Sequence, residues 1–161
     1  MLTATDLTAM RASNLDDLFG AAPAGAIPTG IGRGQALIVT GSFACRPLVG
    51  FVRRLAWRGK EFDDEGSTLL NLIGPLGNRA IKAEVYPDVS RLDGRPCIVL
   101  DYSKTSRVAR WVRDEIREVA PGVYLGVVYV RSRLAPLRFS LQFDSSAERQ
   151  QSPSPESAHA H

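Results

Sequence analysis

Short runs of β-forming residues alternate with turn signals over residues 35–143, and this alternation constrains the fold more than any other feature of the chain. Turn residues separate the runs, as at 64–66, 92–94 and 121–122. The predicted strands comprise residues 34–40, 56–63, 67–73, 79–86, 96–102, 113–119, 122–131 and 137–143. Eight short strands in one domain leave exposed edges unless the sheet closes. The sequence therefore predicts a mainly β fold, a closed or nearly closed antiparallel barrel of about eight strands with one or two short amphipathic helices.

Two of these strands show a clear period of two. Apolar side chains alternate with polar ones along 81–86 and again along 137–143. The first strand places Ile81, Ala83 and Val85 on one face, and the second does the same with Leu137, Phe139, Leu141 and Phe143. We expect each strand to have one dry face and one solvated face.

Helical spacing interrupts the strands after Pro47, where Leu48, Phe51, Val52 and Leu55 recur on one side of a predicted helix of about three turns. Packing across a barrel end is the commonest role of such a helix. A lid over a cavity and a peripheral membrane contact through 47–57 are the functional alternatives. A second short helix is predicted over 106–112.

The chain divides into three parts. Residues 1–33 are predicted to form an N-terminal helix, ending at Gly20, and an extended entry loop; 34–144 form the barrel domain; and 145–161 form a disordered tail. Gly30, Gly32 and Gly34 resemble a phosphate-binding loop in spacing only, because such a loop follows a strand and opens a helix, whereas these glycines precede a strand.

Composition excludes several classes of function. The net charge of +3 is a mild basic bias without the dense basic stripe or aromatic platforms of a specific nucleic-acid binder. The 2 cysteines and the 2 histidines, which lie in the last three residues, do not have the spacing of a metal site, and no cofactor is predicted. The N-terminus lacks a secretory signal and no apolar run approaches a transmembrane length, so we expect a cytoplasmic protein with reduced thiols.

The strands at 97–103 and 111–119 carry the charged candidates. Asp101 and Tyr102 lie on opposite faces of the first strand, so one of them is expected to face the barrel interior. Asp114 and Arg117 lie on opposite faces of the second. One interpretation is a salt-bridge ladder across the strands. The functional alternative is that Arg117, paired with Asp101 or Asp114, forms the polar end of a ligand pocket.

Aromatic and amide side chains supply the remaining candidates. Most aromatic residues are expected to fill the core, but Tyr102 and Tyr124 occur beside the charged strands and are predicted to present hydroxyls to a pocket. Trp57 is placed at the barrel mouth, next to the helix that follows Pro47. Asn71 interrupts four aliphatic residues, and either it is hydrogen-bonded within the core or it faces a ligand.

Four sequence motifs follow one another in an order that resembles the lipocalin-like (calycin) barrels and, more faintly, the plastid lipid-associated fibrillin family. These motifs are W-R-G-K-x-F from Trp57, an L-D-G turn, a D-Y strand and D-E-I-R-E-V-x-P-G-x-Y-L-G. The resemblance spans about residues 57–143. It implies a barrel that binds or carries hydrophobic molecules.

The sequence therefore leaves two main alternatives for the function. The first is binding or carrying a small, largely apolar ligand, lipid-like or aromatic, in a cavity with a polar Arg/Asp/Tyr end. The second is a cofactor-free enzyme of the isomerase, cyclase or hydratase type, with Asp101 or Asp114 as general acid or base. A purely structural role is the third alternative. An apolar cavity with paired charges favours a carrier, and an unpaired buried carboxylate favours an enzyme.

Overall fold

The computed structural model of the protein describes residues 1–38 and 46–144. Within those ranges the chain forms α1 (Ala4–Thr8), α2 (Ala12–Ala21), β1 (Gly30–Ile38), α3 (Arg46–Leu55), β2 (Gly59–Phe62), β3 (Thr68–Ile73), β4 (Asn78–Val89), β5 (Pro96–Asp101), β6 (Val112–Ala120), β7 (Val123–Val130) and β8 (Arg133–Phe143). The predicted tail at 145–161 and the end of the first predicted strand, 39–40, lie outside the described residues.

All eight strands belong to one closed antiparallel barrel. Each strand pairs with the next in sequence, and β8 closes the barrel onto β1 from Gly32–Phe143 to Ile38–Leu137. The prediction of a mainly β fold with an eight-stranded antiparallel barrel is confirmed. Closure pairs the strand edges that an open sheet would leave exposed.

The first strand begins earlier than the sequence indicates. Gly30, Gly32 and Gly34 belong to β1 and not to the entry loop, so the boundary predicted at 33/34 falls inside this strand. Positions 32 and 34 leave no room for a side chain. A Cβ on Gly32 would overlap the Phe143 ring, and one on Gly34 would overlap the Trp57 indole. These glycines make room for aromatic rings.

The N-terminal helices pack against the outside of the barrel. Leu7 of α1 and Leu15 and Phe19 of α2 form a second apolar cluster with outward-facing residues of β1 and β7. The prediction of a solvated face on β8 is wrong for this reason: Arg138 is buried there and its Nε donates to Asp16 Oδ1 at 2.7 Å. The barrel wall therefore has apolar contacts on both sides along these strands.

The helix predicted over 106–112 does not form. This segment consists of turns, in which the Ser106 amide donates to the Tyr102 carbonyl and the Val112 amide donates to the Ala109 carbonyl. Helices of this length are marginal without apolar packing along one face, and here Arg107 and Val108 are exposed. The segment instead forms part of one end of the barrel.

The helix predicted after Pro47 is present as α3. Its predicted apolar stripe at Leu48, Phe51 and Val52 lies outside the described side chains. Carbonyls at its C-terminus accept from the Gly74 amide, which joins the helix to the β3–β4 turn at the same end of the barrel.

Candidate functional site

The barrel is filled in one half and hollow in the other. Large side chains such as Phe62, Ile116 and Leu141 pack the half distant from α3. The half nearest α3 encloses a cavity of about 120 Å³. The lining residues come from seven of the eight strands, all but β5, from the end of α3 and from the adjoining loops: Ala36, Leu55, Trp57, Lys60, Asn71, Ile73, Ile81, Tyr102, Ala109, Val112, Asp114, Val128, Leu137 and Phe139.

Four polar side chains form a cluster inside this otherwise apolar cavity. Lys60 Nζ lies 2.6 Å from the Tyr102 hydroxyl, 2.9 Å from Asn71 Oδ1 and 3.1 Å from Asp114 Oδ2. The side chains of Lys60 and Asp114 are 4% and 6% exposed. A buried ion pair of this kind is therefore surrounded by apolar walls and two neutral hydrogen-bonding groups.

Strand register brings the four residues together. Lys60 of β2 and Asn71 of β3 are direct cross-strand partners, and both face inward. Asp114 of β6 pairs with Leu100 of β5, two residues before Tyr102, so the carboxylate and the phenol lie on the same inner face. Because side chains alternate across a strand, a shift of one residue would move this cluster to the outside.

A β-bulge shapes the wall beside Asn71. The β3–β4 register shifts between Leu70 and Asn71, and the opposing Ile81 has a φ of 52°. A β-branched residue in this left-handed region is strained and is retained only where its surroundings fix it. The Asn71 amide does so by donating to the Ile81 carbonyl at 2.8 Å. Bulges often re-aim side chains next to functional sites.

Aromatic rings surround the Lys60 ammonium. Its Nζ is 5.5 Å from the Trp57 ring, 5.3 Å from the Tyr102 ring and 5.2 Å from the Phe139 ring. Trp57 and Phe139 are themselves packed edge to face at 5.7 Å. The negative faces of such rings stabilise a cation that has left water.

Burial and mutual contact shift the pKa values of the cluster. Burial raises the pKa of Asp114 above its ordinary range, and the Lys60 ammonium opposes this effect. Burial acts to lower the pKa of Lys60, but Tyr102 and Asp114 outweigh it and raise that pKa. Burial also raises the pKa of Tyr102. At neutral pH the lysine is an ammonium and the tyrosine is a neutral phenol.

The hydrogen-bond donors of the cluster are already used. The three protons of Lys60 face three oxygen atoms, and the Asn71 amide donates to Ile81 and, at 3.0 Å, to the Tyr102 hydroxyl. Trp57 Nε1 donates to Asn71 Oδ1 at 3.1 Å. A carboxylate has about four acceptor positions, and two are taken at Asp114, by Lys60 and, at 3.4 Å, by Tyr102. The cluster can therefore accept a hydrogen bond from a ligand at Asp114, but its own donors are all engaged.

Four of the predicted site residues meet in the cavity: Trp57, Asn71, Tyr102 and Asp114. Asn71 was expected either to be hydrogen-bonded within the core or to face a ligand. It is hydrogen-bonded inside the barrel and also lines the cavity. Of the pair Asp101 and Tyr102, the tyrosine faces inward.

Arg117 lies on the outer face of β6, away from the cavity. All its donors are occupied: it binds both carboxylate oxygens of Asp93 at 2.7 Å and donates to the carbonyls of Phe19, Arg95 and Pro96. The predicted partners, Asp101 and Asp114, are therefore wrong. This arginine fastens α2 to the barrel and cannot hold the polar end of a ligand in the cavity.

Asp101 and Tyr124 also lie apart from the cavity lining. Asp101 accepts from the Tyr86 hydroxyl at 2.8 Å and from the Ser103 amide at 2.9 Å. The Tyr124 hydroxyl donates to the Ala26 carbonyl at 2.6 Å, in the filled half of the barrel. Both side chains have structural partners.

Lys60 is the residue that the sequence analysis missed. Its signal was available in the pattern of β2, where Lys60 and Phe62 share a face. A lysine two residues from a buried phenylalanine points into the interior when the strand belongs to a closed barrel. Phe139 was expected to fill the core, but its position beside the cavity was not predicted.

Among the described residues, no group of three or more His, Cys, Asp or Glu side chains could hold a metal ion. No helix in the same part of the chain is both long enough and apolar enough to cross a membrane.

No family model and no curated protein matches the chain. Among solved structures, the chain is similar to a protein from Thermomonospora curvata, known from a crystal structure, with a TM-score of 0.61 and 17% sequence identity. The match covers 84% of this chain and 89% of that chain. At this level of identity the similarity shows the fold alone.

Proposed function

We propose that the protein binds a small, uncharged, largely apolar molecule in the barrel cavity, with a hydroxyl or aromatic amine group of the ligand donating a hydrogen bond to Asp114. The observation that carries this proposal is the cavity itself, which has apolar walls and a single buried polar cluster. Ligand sites typically combine such walls with a few placed polar groups. The resemblance to lipocalin-like barrels supports the same class of function. We also propose that the protein acts in the cytoplasm.

The volume of the cavity limits the size of the ligand. At about 120 Å³ it approaches the roughly 150 Å³ of an apolar protein cavity that binds benzene. Pockets for drug-sized molecules begin at about 300 Å³. The size favours a ligand with one ring or a short branched chain, and it favours the aromatic over the long-chain lipid alternative.

The charge balance of the cluster limits the ligand's charge. Lys60 is matched by Asp114, and the lysine protons already face oxygen atoms. A carboxylate ligand would meet no free donor and would lie near the Asp114 carboxylate, at a cost in desolvation. A neutral donor would instead use the acceptor positions left at Asp114.

The first test is native mass spectrometry of freshly purified protein, to find a co-purified small molecule, followed by calorimetric titration with toluene, benzyl alcohol and benzoate. Benzyl alcohol is expected to bind about tenfold or more tightly than toluene, because a hydrogen bond to a charged acceptor contributes about 1.5–3 kcal/mol. Benzoate is expected not to bind. Failure of both toluene and benzyl alcohol to bind would refute the proposed function.

Matched variants locate the ligand. Asp114→Asn is expected to weaken benzyl alcohol binding, whereas Asp101→Asn leaves it unchanged because Asp101 lies outside the lining. Val128→Phe places a ring in the cavity and is expected to abolish binding, whereas Val108→Phe, at an exposed position, does not. Equal effects within either pair would contradict the assignment of the cavity.

A second candidate function has one observation in its favour, the raised pKa of Asp114 in an apolar cavity. Such a carboxyl is suited to proton transfer, taking a proton from one carbon of a ligand and returning it to another, as in an isomerase. Incubation in D₂O with the molecule found by mass spectrometry tests this function. Deuterium would enter the ligand with Asp101→Asn and not with Asp114→Asn; no incorporation with either chain would exclude it.

A further inference from the structure

The two ends of the barrel differ in charge. The end that carries α3 and the cavity is built from residues 46–60, 73–79, 102–112 and 130–134, and these segments contain no aspartate or glutamate. Nine exposed basic residues lie in them: Arg53, Arg54, Arg58, Arg79, Lys104, Arg107, Arg110, Arg131 and Arg133. We name this end the basic rim. The opposite end includes the acidic β2–β3 turn, with Asp63, Asp64 and Glu65.

Most charges of the basic rim are not neutralised internally. In the part of the chain that the structure describes, Arg79 pairs with Glu61, and none of the other eight basic residues of the rim lies within ion-pair distance of a carboxylate. Two of them lie over an indole: the guanidinium carbons of Arg110 and Arg131 are 4.2 and 4.9 Å from the Trp111 ring centroid. The rim thus presents positive charge to its surroundings.

Exposed apolar side chains project from the same end. Leu76 in the β3–β4 turn is 87% exposed, Val108 is 66% exposed and Trp111 is 45% exposed. Leu134, just after the β7–β8 turn, is also exposed. Their neighbours Ala109 and Val112 line the cavity. Apolar side chains, an exposed tryptophan and arginines therefore lie at the end of the barrel that holds the apolar cavity.

We infer that the basic rim docks on the surface of an anionic lipid bilayer. Basic side chains are attracted to anionic headgroups, and tryptophan and aliphatic side chains gain by entering the interfacial region. Nucleic acid fits less well, because Leu76 and Val108 would gain little from a phosphate backbone. Docking in this orientation brings the cavity next to the bilayer, where small apolar molecules partition. The inference goes beyond the proposed binding function, and neither requires the other.

Vesicle flotation of the full chain tests the inference, with vesicles of phosphatidylcholine alone and of phosphatidylcholine containing about a third phosphatidylglycerol. The protein is expected to float with the anionic vesicles only, and to be released as salt is raised, because salt screens exposed charges. Trp111 fluorescence is expected to shift to the blue on binding. The variant Trp111→Phe is expected to lose that shift.

The double variant R107Q/R133Q is expected to lower the vesicle partition coefficient roughly 30-fold. R11Q/R91Q removes the same charge from exposed positions outside the rim and is expected to have little effect. Equal loss in both variants, no binding to anionic vesicles, or a rim-dependent preference for nucleic acid over vesicles would each overturn the inference. Calorimetric titration without vesicles reports the cavity separately, so the two proposals fail independently.

Discussion

Removing Lys60 is expected to destabilise the fold strongly. The variant Lys60→Met keeps much of the side-chain volume but leaves the Asp114 carboxylate buried without its cation. Breaking one side of a buried ion pair costs about 3–5 kcal/mol of unfolding free energy. For a domain of this size that corresponds to a fall in Tm of roughly 6–20 °C.

This loss is expected to shrink as the pH falls. Burial already raises the pKa of Asp114 in the folded protein, and loss of the Lys60 ammonium removes the effect that opposes the rise. A group whose pKa is higher in the folded state takes up its proton first in that state, so acid favours folding of the variant relative to neutral pH. Urea unfolding at pH 7 and at pH 5 measures the difference.

The double variant Lys60→Met/Asp114→Leu separates stability from function. Replacing both members of a buried pair with apolar residues is often neutral or stabilising, so the double variant is expected to be at least as stable as the wild type. It is also expected to lose binding of benzyl alcohol. A single variant as stable as the wild type, or a double variant as unstable as Lys60→Met, would refute this account of the pair.

Three further predictions concern the barrel wall and its N-terminal helices. Gly126→Ala overlaps the Phe139 ring and is expected to cost about 1–3 kcal/mol and to weaken ligand binding, as thermal unfolding and calorimetry would show; unchanged stability would contradict it. Arg117→Met removes the ion pair to the partly exposed Asp93 and the bond to the Phe19 carbonyl, and it is expected to cost about 1–3 kcal/mol with cavity binding intact; loss of binding in the folded variant would place this arginine in the site after all. Asp93→Asn is expected to lose stability at neutral pH but not near pH 2, because hydrogen bonds from Arg117 lower the pKa of Asp93 to about 2 and the stabilisation disappears as pH falls through that value; a constant difference across pH 2–7 in urea unfolding would oppose this.

The strands were predictable because their period and their turns are local signals. The glycines of β1 were not, because the reason for them is the ring of Phe143 or Trp57 from distant strands. The burial of Arg138 was missed in the same way, since the sequence of β8 does not show that α1 and α2 cover its outer face.

The site was predictable in part for a related reason. Side chains alternate between the two faces of a strand, so Tyr102 and Asp114 were expected on the inner face if the residues two positions away lie there. Which cation joins them depends on the register of β2, set by closure of the whole barrel, and so Arg117 was chosen where Lys60 is found. Charge pairing across non-adjacent strands is the step that local patterns do not determine.

Methyl-labelled NMR during titration with benzyl alcohol tests the central claim most directly. The account predicts saturable shifts in the methyl signals of Val128 and Leu137, which line the cavity, and none in those of Ile116 and Leu141, which pack the filled half. An absence of shifts, or shifts concentrated at Ile116 and Leu141, would contradict a ligand site in the half of the barrel beneath α3.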